Sequence, residues 1–208
     1  FDRLARAEPG RIALPGTALH WSEARYRAGA GSAPGQIALD AKLDAFELAP
    51  LLARAQPELG WRGDLVLGGD IRVQAGERFD ADVVFERLRG DLSVADDVRD
   101  EATAHRPLGL SAMRLGLAAH DGTWHFTAGL AGSQLGEMAG VASARTTPQA
   151  RWPGPEAPLD GVFQLHVAKL AAWGAWVPPG WRLGGDLLSA ATLGGRFGSP
   201  DLSGRLTG

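Results

Sequence analysis

Few residues in this chain have the types and spacing that chemistry requires. His120 and His125 bracket Asp121-Gly122, and the two imidazoles with the Asp121 carboxylate form the one metal candidate. Zinc needs three or four convergent ligands, and no further ligand has a matching spacing, so polar residues flanking a turn account for the pair. The acid pairs Asp80/Asp82 and Asp96/Asp97 have the side chains for general acid–base work. The first falls on the polar side of an alternating segment and the second in the charged stretch "ADDVRDEA". Nucleophile motifs such as G-x-S-x-G are missing, and with no cysteine there is no thiol catalysis, disulfide or thiolate metal site. The stretch "GAGSAPG", residues 29–35, lacks phosphate-loop spacing and puts Pro34 where a helix would begin. The reading is of a non-enzyme, with no catalytic residue, metal or cofactor expected.

Composition points the same way. A net charge of −3 over 208 residues argues against a nucleic-acid partner, which would need a basic footprint. The basic residues are almost all arginine, with only Lys42 and Lys169 as lysines, and they are scattered. Glycine, at 29 residues, is about twice its usual share of roughly 7%. Because glycine costs helices and strands entropy, short strands and turns are expected. The longest nearly apolar run, "LAAWGAWV" at 170–177, falls short of the ~20 residues that cross a bilayer.

Period-two alternation identifies the elements that must position any site. In "LVLGGDIRV" Leu65, Leu67, Gly69, Ile71 and Val73 share one side against Asp70 and Arg72. "FDADVVF" places Phe79, Val83 and Phe85 opposite Asp80 and Asp82, after a turn "QAGER" containing Gly76. "LRGDLSV" sets Leu88, Leu92 and Val94 against Arg89, Asp91 and Ser93. "MRLGLAAH" and "TWHFTAGL" flank the hairpin signal Asp121-Gly122, and "IALDAKL" and "VFQLHVAKL" have the same texture. Ten to twelve strands are expected. Two stretches break the pattern: "DAFELAPLLARAQP" (44–57) reads as a short helix with Asp44 as N-cap, limited by Pro50, and "AKLAAWGAWVPPGW" (168–181) plays a similar part.

These stretches also mark a repeat. Each follows an alternating strand, leads to Gly-Trp-Arg (60–62 and 180–182), and is followed by strand, turn, strand, with the copies about 120 residues apart. Such repetition suggests an elongated β architecture that grows by addition. The stretch 144–161, with Pro148, Pro153, Pro155 and Pro158, reads as a loop or crossover within one continuous sheet. The chain is expected to be a single 1–208 fragment of a longer repetitive β protein, since both ends stop abruptly. Seven tryptophans are read as packing residues, with Trp173, Trp176 and Trp181 clamping the second helix to the sheet. In "TLGGRFGSPDLSGRLTG" a turn is expected at Ser199-Pro200-Asp201, between strands ending near Phe197 and starting near Leu202.

The stretch "LGGRFGSPDLSGRLTG" (193–208), with the proline-bearing region before it, resembles the recurring strand pair of the TamB family, the translocation and assembly module subunits of the AsmA-like group. The resemblance covers about 50 to 60 residues well and the rest loosely. It implies an all-β fold: an elongated curved antiparallel-type sheet forming an open hydrophobic groove, a β-taco, with one or two short helices. It also implies a periplasmic segment of a chain anchored in the inner membrane of a Gram-negative bacterium, with the outer-membrane barrel TamA as partner through other parts of the chain. The implied work is carrying phospholipid acyl chains between the membranes and supporting assembly of outer-membrane proteins such as autotransporters.

One-sided alternation means one covered face and one wet face. A second sheet would cover the apolar face in a closed sandwich; acyl chains would cover it in an open groove, each buried CH₂ contributing about 0.8 kcal/mol. The residues expected to line such a groove are Leu65, Leu67, Ile71, Val73, Phe79, Val83, Phe85, Leu92, Val94, Leu115, Leu117, Trp124 and Phe126. The competing expectation is a chaperone-like or structural β-domain that binds unfolded outer-membrane strands along a sheet edge, with no lipid conduit.

Overall fold

A computed structural model describes residues 4–14, 17–29, 34–95, 105–176 and 181–208. Asp96, Asp97 and Gly180, and most of the 29–35 stretch, lie outside the described residues. In chain order the elements are β1 (Leu4–Ala7), β2 (Gly10–Leu14), β3 (Thr17–Arg27), β4 (Gln36–Glu47), α1 (Ala49–Ala55), a 3-10 turn (Pro57–Leu59), β5 (Arg62–Gly63), β6 (Val66–Ala75), β7 (Phe79–Arg89) and β8 (Leu92–Ala95). Then come β9 (His105–Pro107), β10 (Leu110–His120), β11 (Thr123–Gly132), β12 (Gly136–Arg145), β13 (Leu159–Val167), a second 3-10 segment (Leu170–Trp176), β14 (Leu187–Arg196) and β15 (Ser199–Thr207).

The fold is all-β. One 12-stranded antiparallel sheet runs β1-β3-β4-β6-β7-β10-β11-β12-β13-β14-β15, with β2 also paired to β3. The sheet does not close on itself: β15 pairs with β14 alone among the described residues. Neighbours in sequence are neighbours in space because tight turns return the chain. Asp121 and Gly122 both adopt positive φ in the β10–β11 hairpin, as a two-residue turn of mirror-image type demands. A separate three-stranded sheet, β5-β8-β9, sits at one end of the strands.

Several local expectations are corrected. "LRGDLSV" is not one strand: Gly90 at φ 82° ends β7, and β8 turns away into the small sheet. A Cβ on Gly90 would lie 2.0 Å from the Asp64 carbonyl oxygen, so only glycine fits there. Asp44 is not an N-cap; it lies within β4, and the cap position is Leu48, whose N–H donates to the Leu65 carbonyl. Pro50 sits in the first turn of α1, where a missing N–H costs nothing. The last hairpin turns at Phe197-Gly198, and Pro200 lies inside β15 opposite Gly195. Of the loop or crossover expected over 144–161 the loop is what is found: β12 and β13 pair directly (Ala144 with Leu159), and 146–158 is a long hairpin loop.

The repeated order of elements appears twice in space. β4 leads through α1 to β6 and β7, and β13 leads through the second 3-10 segment to β14 and β15, each set being adjacent in the sheet.

Candidate functional site: an apolar trough

Cross-strand partners in a sheet share a face, so the register assembles the site row by row. One row runs Trp21, Ala41, Ile71, Val83, Leu117, Phe126, Ala142, Gly161, Leu193, Leu202. The next runs Leu19, Leu43, Gly69, Phe85, Leu115, Ala128, Gly140, Phe163, Ala191, Gly204. Both cross ten consecutive strands without a polar side chain. At a strand spacing of about 4.8 Å the rows extend about 43 Å, and they lie roughly 6.7 Å apart along the strands.

Leu115 lies at the centre of the sheet, flanked by Phe85 and Ala128, yet keeps 38% of its surface exposed. Ile71, Val83, Leu117 and Phe163 are half-buried. The middle of the apolar face therefore has no second layer over it.

The two margins of this face are covered. At one, Ala49, Leu65, Leu67, Leu92, Val94, Leu108 and Leu110 form a closed cluster under α1 and the small sheet. Asp91 fastens it: its carboxylate accepts from the N–H groups of Leu92 (2.8 Å), Gly109 (2.8 Å) and Leu110 (2.9 Å). Trp173 donates to the Leu135 carbonyl at 3.0 Å, tying the second 3-10 segment to the β11–β12 turn. Trp181, by contrast, is largely exposed, and the Trp176 side chain lies outside the described residues.

At the other margin, Ala81, Ala119, Trp124, Ala144 and Leu159 form a second cluster. The proline-rich loop 146–158 straps this end. Its Pro148 carbonyl accepts from Phe79 N–H at the start of β7, and its Ala157 and Pro155 carbonyls accept from Phe197 and Gly198 after β14. The Trp152 ring, 55% exposed, sits 5.4 Å from Trp124, 6.0 Å from Phe126 and 5.9 Å from Phe197. Trp124 stacks on Phe79 at 5.4 Å and donates to Thr146 Oγ1 at 3.1 Å.

Of the residues expected to line a groove, Ile71, Val83, Phe85, Leu115, Leu117 and Phe126 lie in the two central rows. Val73 and Phe79 share that face near the strapped margin. Leu65, Leu92 and Val94 do not: Leu65 precedes β6, its carbonyl accepting from Leu48 N–H at the start of α1, and the Gly90 break turns β8 away, so all three lie in the first closed cluster, where Leu65 is fully buried. Leu67 and Trp124 occupy the right face but are buried in the covered margins. Sequence reasoning missed Trp21, Ala41, Ala128, Gly140, Ala142, Phe163 and Ala191. The signal was there, as alternation of any non-polar residue, glycine and alanine included.

The opposite face is wet and carries the charged pairs, with Val141 and Val162 also exposed on it. Arg72 donates to Asp40 (3.2 Å), Arg114 to Glu86 (3.1 Å), and Ser143 to Asp160. His120, Asp121 and His125 diverge instead of converging: His120 contacts Asp82 and Asp80, Asp121 accepts from Arg78, and His125 faces Ala118 and Ser143. The Asp82 hydrogen bond, opposed by slight burial and reinforced by the Asp82 and Asp80 charges, raises the His120 pKa above 6.5. Among the described residues no group of three or more His, Asp or Glu is placed to hold a metal ion. Nor, among the described residues, is any helix long and apolar enough to cross a membrane.

No family model, curated protein or solved structure matches the chain.

Proposed function

We propose that this chain is a non-enzymatic carrier segment whose trough takes up phospholipid acyl chains and lets them move across the strands. The observation that carries this reading is Leu115, left 38% exposed in the centre of an uninterrupted apolar row on an open sheet. A face of this extent left to water would be costly, since each CH₂ covered contributes about 0.8 kcal/mol. The covered margins restrict the opening to a strip that runs across the strands. The resemblance of residues 193–208 to the TamB family supports a periplasmic setting within an inner-membrane-anchored chain, with TamA reached through other segments. Photo-crosslinkers at Val83 and Phe85 should capture lipid in cells, and Val83→Asp should abolish capture while leaving the fold intact. No capture at either position overturns the proposal.

A further inference from the structure

Two register shifts coincide at one end of the sheet. β4 shifts against β6 between Leu43 and Phe46, and β6 shifts against β7 between Val66 and Leu67. Bulges re-aim side chains and open local space. Here they leave a cavity of about 490 Å³ between the sheet end and α1, apart from the trough. Its apolar walls come from Phe46, Pro50, Leu51 and Val66. Phe46 lines it and is set edge-on to Phe85 of the trough, ring centroids 6.4 Å apart.

The charged lining is unbalanced. Arg54 in α1 and Arg89 at the end of β7 both line the cavity, against the single carboxylate of Glu47. Neither arginine has an ion pair among the described residues, whereas Arg72, Arg78 and Arg114 each pair with a carboxylate. A guanidinium is a fork of donors that fits a carboxylate or phosphate through two parallel hydrogen bonds. An apolar cavity of several hundred Å³ with a few convergent polar groups is the usual form of a small-molecule site.

We propose that the cavity between α1 and the bulged ends of β4 and β7 binds a small amphiphile, its oxyanion head held by Arg54 and Arg89 and its apolar body lying against Phe46, Leu51 and Val66. The oxyanion is a carboxylate or a phosphate monoester, the chemistry common to a free fatty acid and an alkyl phosphate. This site does not depend on the trough reading, because it has its own walls and its own charges.

The test is a titration of the whole ¹⁵N-labelled chain with dodecanoate, dodecyl phosphate, decan-1-ol or inorganic phosphate, followed by NMR. The first two should shift the amides of Leu51, Arg54 and Val66 saturably, and the tighter of them names the headgroup. Decan-1-ol and inorganic phosphate should each bind far more weakly, since each supplies half of the ligand. The double variant Arg54→Gln/Arg89→Gln should weaken dodecanoate by at least about tenfold. Both arginines are exposed, so the double variant should fold. Leu51→Asp, at a residue 51% exposed, places a charge against the ligand's apolar body and should weaken binding as well. Unchanged affinity in the double variant overturns the proposal. So does inorganic phosphate binding as tightly as dodecyl phosphate, or shifts confined to Leu115 and Leu117.

Discussion

The rings of Phe126 and Phe197 lie 5.9 Å apart although β12 and β13 separate their strands in the sheet. Three strand spacings amount to about 14 Å, so the contact depends on both side chains leaning over the apolar face and on the strap that holds Phe197. The strap is thus a wall of the trough. Phe197→Ala should cost about 2 kcal/mol, below the full-core range because the residue is only half-buried. Urea unfolding measures the cost. The Phe79 amide, bonded to Pro148, should lose hydrogen-exchange protection at the same time. Unchanged protection there would contradict a strap anchored at both ends.

Asp91 supports the opposite margin. Three backbone N–H groups donate to its carboxylate, and hydrogen bonds to charged groups contribute about 1.5–3 kcal/mol each before partial replacement by water. Asp91→Ala should destabilise the chain by about 3 kcal/mol. The Gly109 and Leu110 amides should exchange faster while those of β13 and β14 are little changed.

Gly69 sets the depth of the trough floor. A Cβ there would lie 2.5 Å from Phe85 Cδ1 and 3.0 Å from the Val84 carbonyl oxygen. Gly69→Ala should push the Phe85 ring toward the open face, costing about 1–3 kcal/mol as overpacking does. Lipid capture at Phe85 should fall more than at Leu117.

His120 gives the outer face a pH dependence. Its Nε2 lies 2.9 Å from Asp82 and its Nδ1 3.4 Å from Asp80. Because its pKa is raised in the folded chain, its contribution is complete below the unfolded value of 6.5 and is lost as pH rises through the folded value. The stability deficit of His120→Gln relative to the parent should therefore be largest near about pH 5.5 and close to nil by about pH 8.5. A deficit independent of pH would show that the imidazole acts only by packing.

Alternation made most of the sheet legible in advance. The Asp121-Gly122 hairpin and the face shared by Ile71, Val83 and Leu117 follow from period two and turn chemistry. What alternation hides is a backbone break that leaves the pattern intact. Leu88, Leu92 and Val94 alternate across Gly90, yet its positive φ and the grip of Asp91 send β8 into another sheet. Register shifts are equally silent, which is why the cavity beside α1 left no trace in the sequence, and alternation alone does not show that Leu65 lies ahead of β6, under α1. The strap was visible only as prolines. That its two ends reach β7 and the β14–β15 turn depends on backbone hydrogen bonds between segments far apart in the chain.

The open trough is tested most directly by a photo-crosslinker scan of β7 and β10 in cells, one residue at a time. Capture of lipid at Val83, Phe85, Leu115 and Leu117, with none at Asp82, Val84, Glu86, Arg114 and Gly116, is the period-two result the account predicts. Equal capture on both faces, or none on either, contradicts it.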